Sequence, residues 1–213
     1  MNLYTYFRSS ASFRVRIALN MKGLPYTSTP VHMLRHGGEQ HLPAYRAVNP
    51  LGLVPSLALD DGQVLTQSLA ICEYLEETHP DPALLPATAL DRAWVRSLCA
   101  DIACDIHPLD NLRVLRYLKH ELNCDDAQRD AWYGHWIRTG FEPLESVLRG
   151  RAGRHCLGND FTLADAFLVP QVWNARRFKC AMDDFPTISR LYENAMALDA
   201  VQRAEPSQQP DAE

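Results

Sequence analysis

Three prolines stand within the eight residues from His79 to Pro86, and this stretch constrains the fold more than any other feature. Proline fixes φ and has no amide hydrogen, so neither a regular helix nor a central strand can run through it. The patterning of the chain also differs on the two sides of this stretch. We therefore predict two domains, residues 1–80 and residues 91–213, joined by a linker over residues 81–90.

Residues 1–80 alternate between strand-like and helix-like patterns. The last two strand-like stretches flank Asp60-Asp61-Gly62, which is a hairpin signal. The sequence predicts the order β-α-β-α-β-β-α, a small mixed sheet with helices. The predicted strands are residues 3–6, 26–31, 56–59 and 64–66, and the predicted helices are residues 11–22, a short one ending near residue 45, and residues 69–77.

Residues 91–213 have only helical patterns, which predicts an all-α domain. Pro108 should kink or break the first helix, and Thr162 with Asp165 fits a capping box in front of the third. The polar residues 205–213 are predicted to fray. The predicted helices are residues 91–122, 127–148, 163–177 and 188–198.

Composition excludes several classes of protein. With 21 Lys and Arg against 26 Asp and Glu, the 213 residues have a formal net charge of −5, so we expect no nucleic-acid partner. No run approaches the ~20 apolar residues that cross a bilayer, and the first residues lack a secretory signal pattern, so we expect no membrane partner. The six cysteines have no pairing or metal-ligand spacing, which predicts reduced thiols, a cytoplasmic location and no metal site.

Three short motifs could form a binding site. Ser9-Ser10 lies between a strand and a helix, where two hydroxyls can cap the helix but where amides and the helix dipole also favour a thiolate or another anion, with Arg8 adding positive charge. Val54-Pro55 precedes a strand; a cis bond there would turn the Val54 amide and carbonyl outward, although proline is also tolerated at a strand start. Gln67-Ser68 either caps a helix or binds a carboxylate.

The same residues carry a resemblance to a known family. Arg8-Ser9-Ser10-Ala11-Ser12-Phe13-Arg14-Val15-Arg16-Ile17-Ala18-Leu19 resembles the signature of the zeta-class glutathione transferases, the maleylacetoacetate and maleylpyruvate isomerases. Three further parts of the chain resemble motifs of that family: Asn49-Pro50 with Val54-Pro55, Gln67-Ser68-Leu69-Ala70-Ile71 with Glu73-Tyr74-Leu75-Glu76-Glu77, and Val169-Pro170-Gln171-Val172 with Phe178-Lys179. The resemblance implies a thioredoxin-like α/β domain followed by an all-helical domain, and a homodimer.

The resemblance also implies a glutathione site. Ser9, or Ser10 beside it, would face the glutathione sulfur as the catalytic hydroxyl. Many members of the family have cysteine after the two serines, but Ala11 stands there in this chain, so glutathione must supply the sulfur. The other implied contacts are Gln40 to the glycyl end, the Val54 backbone with a cis Pro55 to the cysteinyl unit, Gln67 and Ser68 to the γ-glutamyl unit, and Asn111 across the dimer or the cleft.

The implied reaction is glutathione-dependent cis–trans isomerisation in the degradation of aromatic compounds. A thiolate adds to a double bond conjugated to a ketone, the bond rotates, and the thiolate leaves. Arginines are natural clamps for the substrate carboxylates because they bind them bidentately. The candidates are Arg8 and one of Arg176 and Arg177, although cations at a helix end can simply complement the dipole; His107 and Arg113 are weaker candidates.

Several functions compete with conversion of maleylpyruvate to fumarylpyruvate. Maleylpyruvate ranks first because the overall match resembles bacterial maleylpyruvate isomerases most closely. Maleylacetoacetate is the alternative substrate, and a general zeta-class transferase acting on small α-halo acids is a broader one. A non-catalytic protein that only binds glutathione is disfavoured, because the serines and the Gln67-Ser68 pair are all retained.

Overall fold

The computed structural model describes all 213 residues and divides them into two compact units. The first unit comprises Met1–Leu84 together with Ala197–Glu213, and the second comprises Leu85–Met196. The first break falls inside the proline-rich stretch. The second differs from the predicted division, which places all of residues 91–213 in one domain, because the C-terminal segment Ala197–Glu213 belongs to the first unit.

The first unit is built on a four-stranded mixed sheet, as the sequence predicts. Its strands are β1 (Asn2–Thr5), β2 (Thr27–Pro30), β3 (Ser56–Ala58) and β4 (Val64–Thr66), in the order β2-β1-β3-β4. Strand β1 is parallel to β2 and antiparallel to β3, and β3 and β4 form the predicted hairpin. The two central strands bury Leu3 and Leu57, which face each other in register at 0% exposure.

Helices α1 (Ser10–Met21), α2 (Pro43–Arg46) and α3 (Ser68–Thr78) complete the predicted order of this unit. Gly23 terminates helix α1 two residues after Met21, with a φ of +64° that is favourable only for glycine. The amide of Gly23 donates to Asn20 and that of Leu24 to Leu19, which is the Schellman pattern. The apolar faces of α1 and α3 are fully buried, so these helices form the core with the sheet.

The C-terminal segment is ordered against the first unit, so the prediction that residues 205–213 fray is wrong. It contains helix α9 (Asp199–Gln202) and a 3-10 turn, Pro206–Gln208. Val201 and Ala204 are fully buried. The carbonyl of Ala204 accepts a hydrogen bond from Arg16 Nε at 2.9 Å, and Asp211 Oδ2 accepts one from the Phe7 amide at 3.0 Å. These contacts span 188 and 204 residues of sequence, respectively, and local composition does not reveal them.

The second unit is helical, as predicted. Pro108 interrupts the helix predicted over residues 91–122, and a π-helical turn, Asp101–Ile106, precedes the interruption. The predicted capping box at Thr162 is confirmed, because the Thr162 amide donates to Asp165 Oδ2 at 2.9 Å. No helix combines the length and the apolar character required to span a membrane. The helices of the second unit are α4 (Ala89–Ala100), α5 (Leu112–His120), α6 (Asp126–Arg149), α7 (Leu163–Arg177) and α8 (Pro186–Met196).

Candidate active site

The turn between β1 and α1 presents the Ser9 hydroxyl. Ser9 is the N-cap of α1, with φ −69° and ψ 117°, and its Oγ accepts a hydrogen bond from the Ser12 amide at 3.2 Å. The capping role is therefore real, but accepting a bond leaves the hydroxyl proton available for donation. Ser9 is half-buried, whereas Ser10 is 5% exposed, so the geometry favours Ser9 as the hydroxyl that meets a ligand.

A buried arginine fixes the backbone in front of Ser9. Arg16 has no exposed surface, and its guanidinium donates to Thr5 Oγ1 and to the Phe7 carbonyl, both at 3.0 Å. Burial lowers the pKa of Arg16 to about 10, so the side chain stays charged at neutral pH. The sequence shows Arg16 within the motif but gives no sign that it is buried, and its role in holding this turn was not predicted.

The Val54-Pro55 peptide bond is cis, as the resemblance implies. Neither the amide nor the carbonyl of Val54 has a hydrogen-bond partner in the chain. An unpaired donor and acceptor on one residue can pair with the backbone of a peptide-like ligand, as an added strand does. Val54 therefore has the free groups that a clamp on a cysteinyl unit needs.

Two side chains for which the sequence predicts no role, Asn49 and Tyr45, hold the segment from Leu53 to Ser56 in place. Asn49 Nδ2 donates to the Leu53 carbonyl at 2.8 Å and to Ser56 Oγ at 3.3 Å. Tyr45 Oη donates to the same Leu53 carbonyl at 2.6 Å and lies 2.9 Å from Ser56 Oγ. Both side chains are buried. They fix the residues on either side of Val54 and its proline.

We expect Asn49→Ala to weaken glutathione binding about fivefold or more. The substitution removes two buried hydrogen bonds, each contributing about 1 kcal/mol, and loosens the residues that flank Val54. Calorimetric titration with glutathione measures the effect. Asn20→Ala is the matched control, because it also removes an asparagine-to-carbonyl bond in the same unit, to Ala200 at 3.0 Å. An unchanged dissociation constant in Asn49→Ala would remove this support for the Val54 clamp.

Helix α3 begins at a strained residue. Gln67 is the N-cap of α3 and has a φ of +70°. The Gln67 side chain makes no capping hydrogen bond to the helix, so it remains available to a ligand. It is exposed. Ser68 is buried, and its Oγ accepts a hydrogen bond from Arg14 Nη1 at 3.3 Å. An exposed amide at a helix N-terminus, with Ser68 fixed behind it, suits a carboxylate ligand.

Other predicted contacts to glutathione have different surroundings. Gln40 is 3% exposed, and its Nε2 lies 3.1 Å from His41 Nε2, so this conformation offers little of Gln40 to a ligand. Asn111 is the N-cap of α5, with Oδ1 accepting from the Arg113 amide and Nδ2 lying 3.2 Å from His107 Nε2. Arg113 is exposed. The ligand contacts of these residues stay predictions.

The three candidate clamp arginines lie in two environments. Arg8 is in the first unit, 31% exposed, with its guanidinium stacked on the Phe7 ring at 4.7 Å. Arg176 ends α7, where it pairs with Glu193 at 2.6 Å and stacks on Tyr192 at 4.3 Å. Arg177 donates to Asn174 at 3.2 Å and stacks on Phe178. Both helix-end arginines thus have partners within the second unit.

Comparison with known proteins identifies the family. Residues 8–78 match the family model for the glutathione S-transferase N-terminal domain. A probable maleylacetoacetate isomerase of Vibrio cholerae is 50% identical over 99% of this chain and 97% of its own length. A maleylpyruvate isomerase of Ralstonia is 49% identical over the whole of both chains.

Solved structures agree with these sequence matches. A zeta-class maleylpyruvate isomerase, a bacterial glutathione S-transferase, superposes over the full length of both chains with a TM-score of 0.96 and 46% identity. A maleylacetoacetate isomerase of Methylobacterium extorquens, solved with malonate and glutathione bound, has a TM-score of 0.95 and 40% identity, again over both whole chains. The predicted thioredoxin-like domain followed by a helical region is confirmed. The chain belongs to the zeta class of the glutathione transferases.

Proposed function

We propose that the protein is a glutathione-dependent cis–trans isomerase that converts maleylpyruvate to fumarylpyruvate. The observation that carries this proposal is a thiolate site without a protein thiol. The turn at Ser9 can receive a thiolate, yet Ala11 stands in the first turn of α1. Cys72 is the only cysteine of the first unit, and it is fully buried, which raises its pKa to about 12. The first unit therefore has no protein thiol available as nucleophile, and we assign that role to the thiol of a bound ligand.

The first unit fits glutathione on its own geometry. The unpaired amide and carbonyl of Val54 suit the cysteinyl unit, and the exposed Gln67 side chain at the start of α3 suits the γ-glutamyl carboxylate. When bound, glutathione supplies a thiolate that adds to the conjugated cis double bond, permits rotation about it and is then eliminated. Ser9 donates its hydroxyl proton as a hydrogen bond to the sulfur and so favours the thiolate over the thiol.

Arg8 is the residue that we assign to a substrate carboxylate. Its guanidinium is held in place by stacking on Phe7 and retains 31% exposure, immediately before Ser9 in the chain. A guanidinium can bind a carboxylate through two parallel hydrogen bonds, which fixes the orientation of the substrate as well as its position. Maleyl keto acids have a carboxylate at each end, so one arginine at this turn orients the double bond toward the sulfur.

The substrate is decided by an assay of both maleyl keto acids. Relatives named for maleylpyruvate and for maleylacetoacetate match this chain at 49% and 50% identity. We expect a higher kcat/KM for maleylpyruvate, measured by the absorbance change of each acid at saturating glutathione. A preference for maleylacetoacetate would select the alternative. Turnover of small α-halo acids alone would indicate a general transferase, and glutathione binding without turnover of any of these acids would overturn the proposal.

A second arginine should act on the other carboxylate, and we expect Arg176→Ala or Arg177→Ala to raise the KM for the keto acid at least tenfold. The Arg176–Glu193 pair is exposed on both sides, so it is weak enough to exchange for a substrate carboxylate. Initial rates at saturating glutathione measure KM, and Arg154→Ala, an exposed arginine of the same unit, is the control. Wild-type kinetics in both variants would show that Arg176 and Arg177 only complement the dipole at the end of α7. Arg113 would then be tested next.

We further propose a cytoplasmic homodimer. All six cysteines are free, which suits a reducing compartment. Large apolar side chains are exposed in both units, including Leu51 at 62% and Leu90 at 72%, and a second copy could bury part of this apolar surface. Light scattering is expected to give about twice the 24.1 kDa mass of the chain. A particle of 24.1 kDa at micromolar concentration would contradict the dimer.

A further inference from the structure

The side-chain carboxylate of Glu213 lies among positive groups beside the Ser9 turn. Asp211 Oδ2 accepts a hydrogen bond from the Phe7 amide, and this contact brings residues 212 and 213 close to the turn. One oxygen of Glu213 is 3.9 Å from Arg8 Nη2 and 3.5 Å from His32 Nε2. The other oxygen accepts a hydrogen bond from Arg35 Nη2. Arg8, His32 and Arg35 thus surround a single carboxylate.

The His32 ring has a fixed orientation and a fixed proton. It is 5% exposed, and its Nδ1 accepts the backbone amides of Leu34 at 3.2 Å and Arg35 at 2.9 Å. A nitrogen that accepts two hydrogen bonds carries no proton, so the ring proton is on Nε2. Nε2 is buried without a hydrogen-bond partner and lies 3.5 Å from Glu213 Oε2. A buried N–H with an unmet hydrogen-bonding capacity therefore lies beside the position of the carboxylate.

The occupant of this position is held weakly. The Glu213 side chain is 42% exposed and that of Arg35 is 59% exposed, so both ends of their ion pair remain in water. Exposed pairs of this kind contribute little to stability. The hydrogen bond from Arg35 lowers the pKa of the Glu213 carboxyl, which keeps it ionised at neutral pH. If Glu213 moved away, Arg8 would keep its stack on Phe7 and His32 would keep its buried ring position. The exposed Arg35 side chain would then be able to pair with another carboxylate.

We propose that Arg8, His32 and Arg35 form a binding site for one carboxylate of a small organic acid, and that Glu213 is an internal ligand that competes for it. The assignment of the acid as substrate rests on the proposed function, but the site itself does not. An internal competitor raises the apparent dissociation constant of an external ligand by the factor one plus its closing equilibrium constant. His32 and Arg35 then determine specificity together with Arg8, and Glu213 excludes anions that bind too weakly to displace it.

The test is calorimetric titration with maleate in the absence of glutathione. Glu213→Gln is expected to tighten maleate binding about fivefold, because the competing carboxylate is lost. Arg35→Met is expected to weaken it about fivefold or more, because a ligand of the carboxylate is lost. These opposite signs are the diagnostic result, since a Glu213 that merely anchors the chain would give the same sign in both variants. Glu77→Gln makes the same charge change at an exposed position of the same unit and should leave binding unchanged.

The remaining outcomes overturn the proposal. Unchanged or weaker maleate binding in Glu213→Gln would do so, as would equal effects in Glu77→Gln or an absence of maleate binding in every variant. The titration involves no turnover, so an enzyme that fails to isomerise either keto acid would remove the proposed function and leave this result standing. If both proposals hold, Glu213→Gln also lowers the KM for the keto acid by a similar factor without lowering kcat.

Discussion

Arg8→Ala is expected to raise the KM for maleylpyruvate about 30-fold or more, while the affinity for glutathione changes much less. Truncating one partner of a desolvated charge pair typically costs about 2–5 kcal/mol, and the 31% exposure of Arg8 places the effect at the lower end of that range. The glutathione contacts that we assign lie at Val54 and Gln67, so they do not depend on the guanidinium.

Initial rates over a range of keto-acid concentrations, together with titration of glutathione, separate the two effects of this substitution. Arg8→Lys should restore only part of the loss, because an ammonium group keeps the charge but cannot form the bidentate pair. If Arg8→Ala retains the wild-type KM, or if Arg8→Lys is fully active, the assignment of Arg8 to a substrate carboxylate is wrong.

Ser9→Ala is expected to lower turnover at least tenfold and to raise the thiol pKa of bound glutathione. The variant loses a charge-assisted hydrogen bond to the thiolate, which contributes roughly 1.5–3 kcal/mol. It also loses the cap bond from the Ser12 amide, at about 1 kcal/mol of folding stability. Ultraviolet absorbance of the thiolate as a function of pH reports the pKa directly and is independent of the rate.

Thr88→Ala is the matched control for the structural part of that change. Thr88 caps α4 in the same manner, its side chain accepting from the Asp91 amide at 3.1 Å, but it belongs to the second unit. Both variants should therefore lose similar stability, and only Ser9→Ala should lose turnover. Normal rates in Ser9→Ala with a crippled Ser10→Ala would transfer the role to Ser10.

The sequence predicts the architecture because its signals are local. The prolines from His79 to Pro86 interrupt the chain, and the alternation of patterns before them gives the observed order of strands and helices. At Thr162, where the cap is identified from the sequence, the predicted and observed helices coincide. Such signals involve residues only a few positions apart, so they are visible in the amino-acid sequence itself.

What the sequence does not show depends on residues distant in the chain. The burial of Arg16 follows from acceptors at Thr5, Phe7 and Ala204, the last of them 188 residues away. Composition alone indicates a frayed end for residues 205–213, yet that segment packs on the first unit. The sequence presents capping and binding of sulfur as alternatives for Ser9, whereas the capping bond leaves the hydroxyl proton available for the role toward sulfur that we propose.

The requirement for glutathione is the most direct test of the account. Isomerisation of maleylpyruvate should be followed with glutathione, without it, and with S-methylglutathione, which retains the peptide contacts but has no thiol to ionise. We expect turnover with glutathione only, because Cys72, the one thiol of the first unit, is buried with a pKa of about 12. Turnover at a similar rate without glutathione, or with the S-methyl form, would show that the nucleophile belongs to the protein and that the proposed mechanism is wrong.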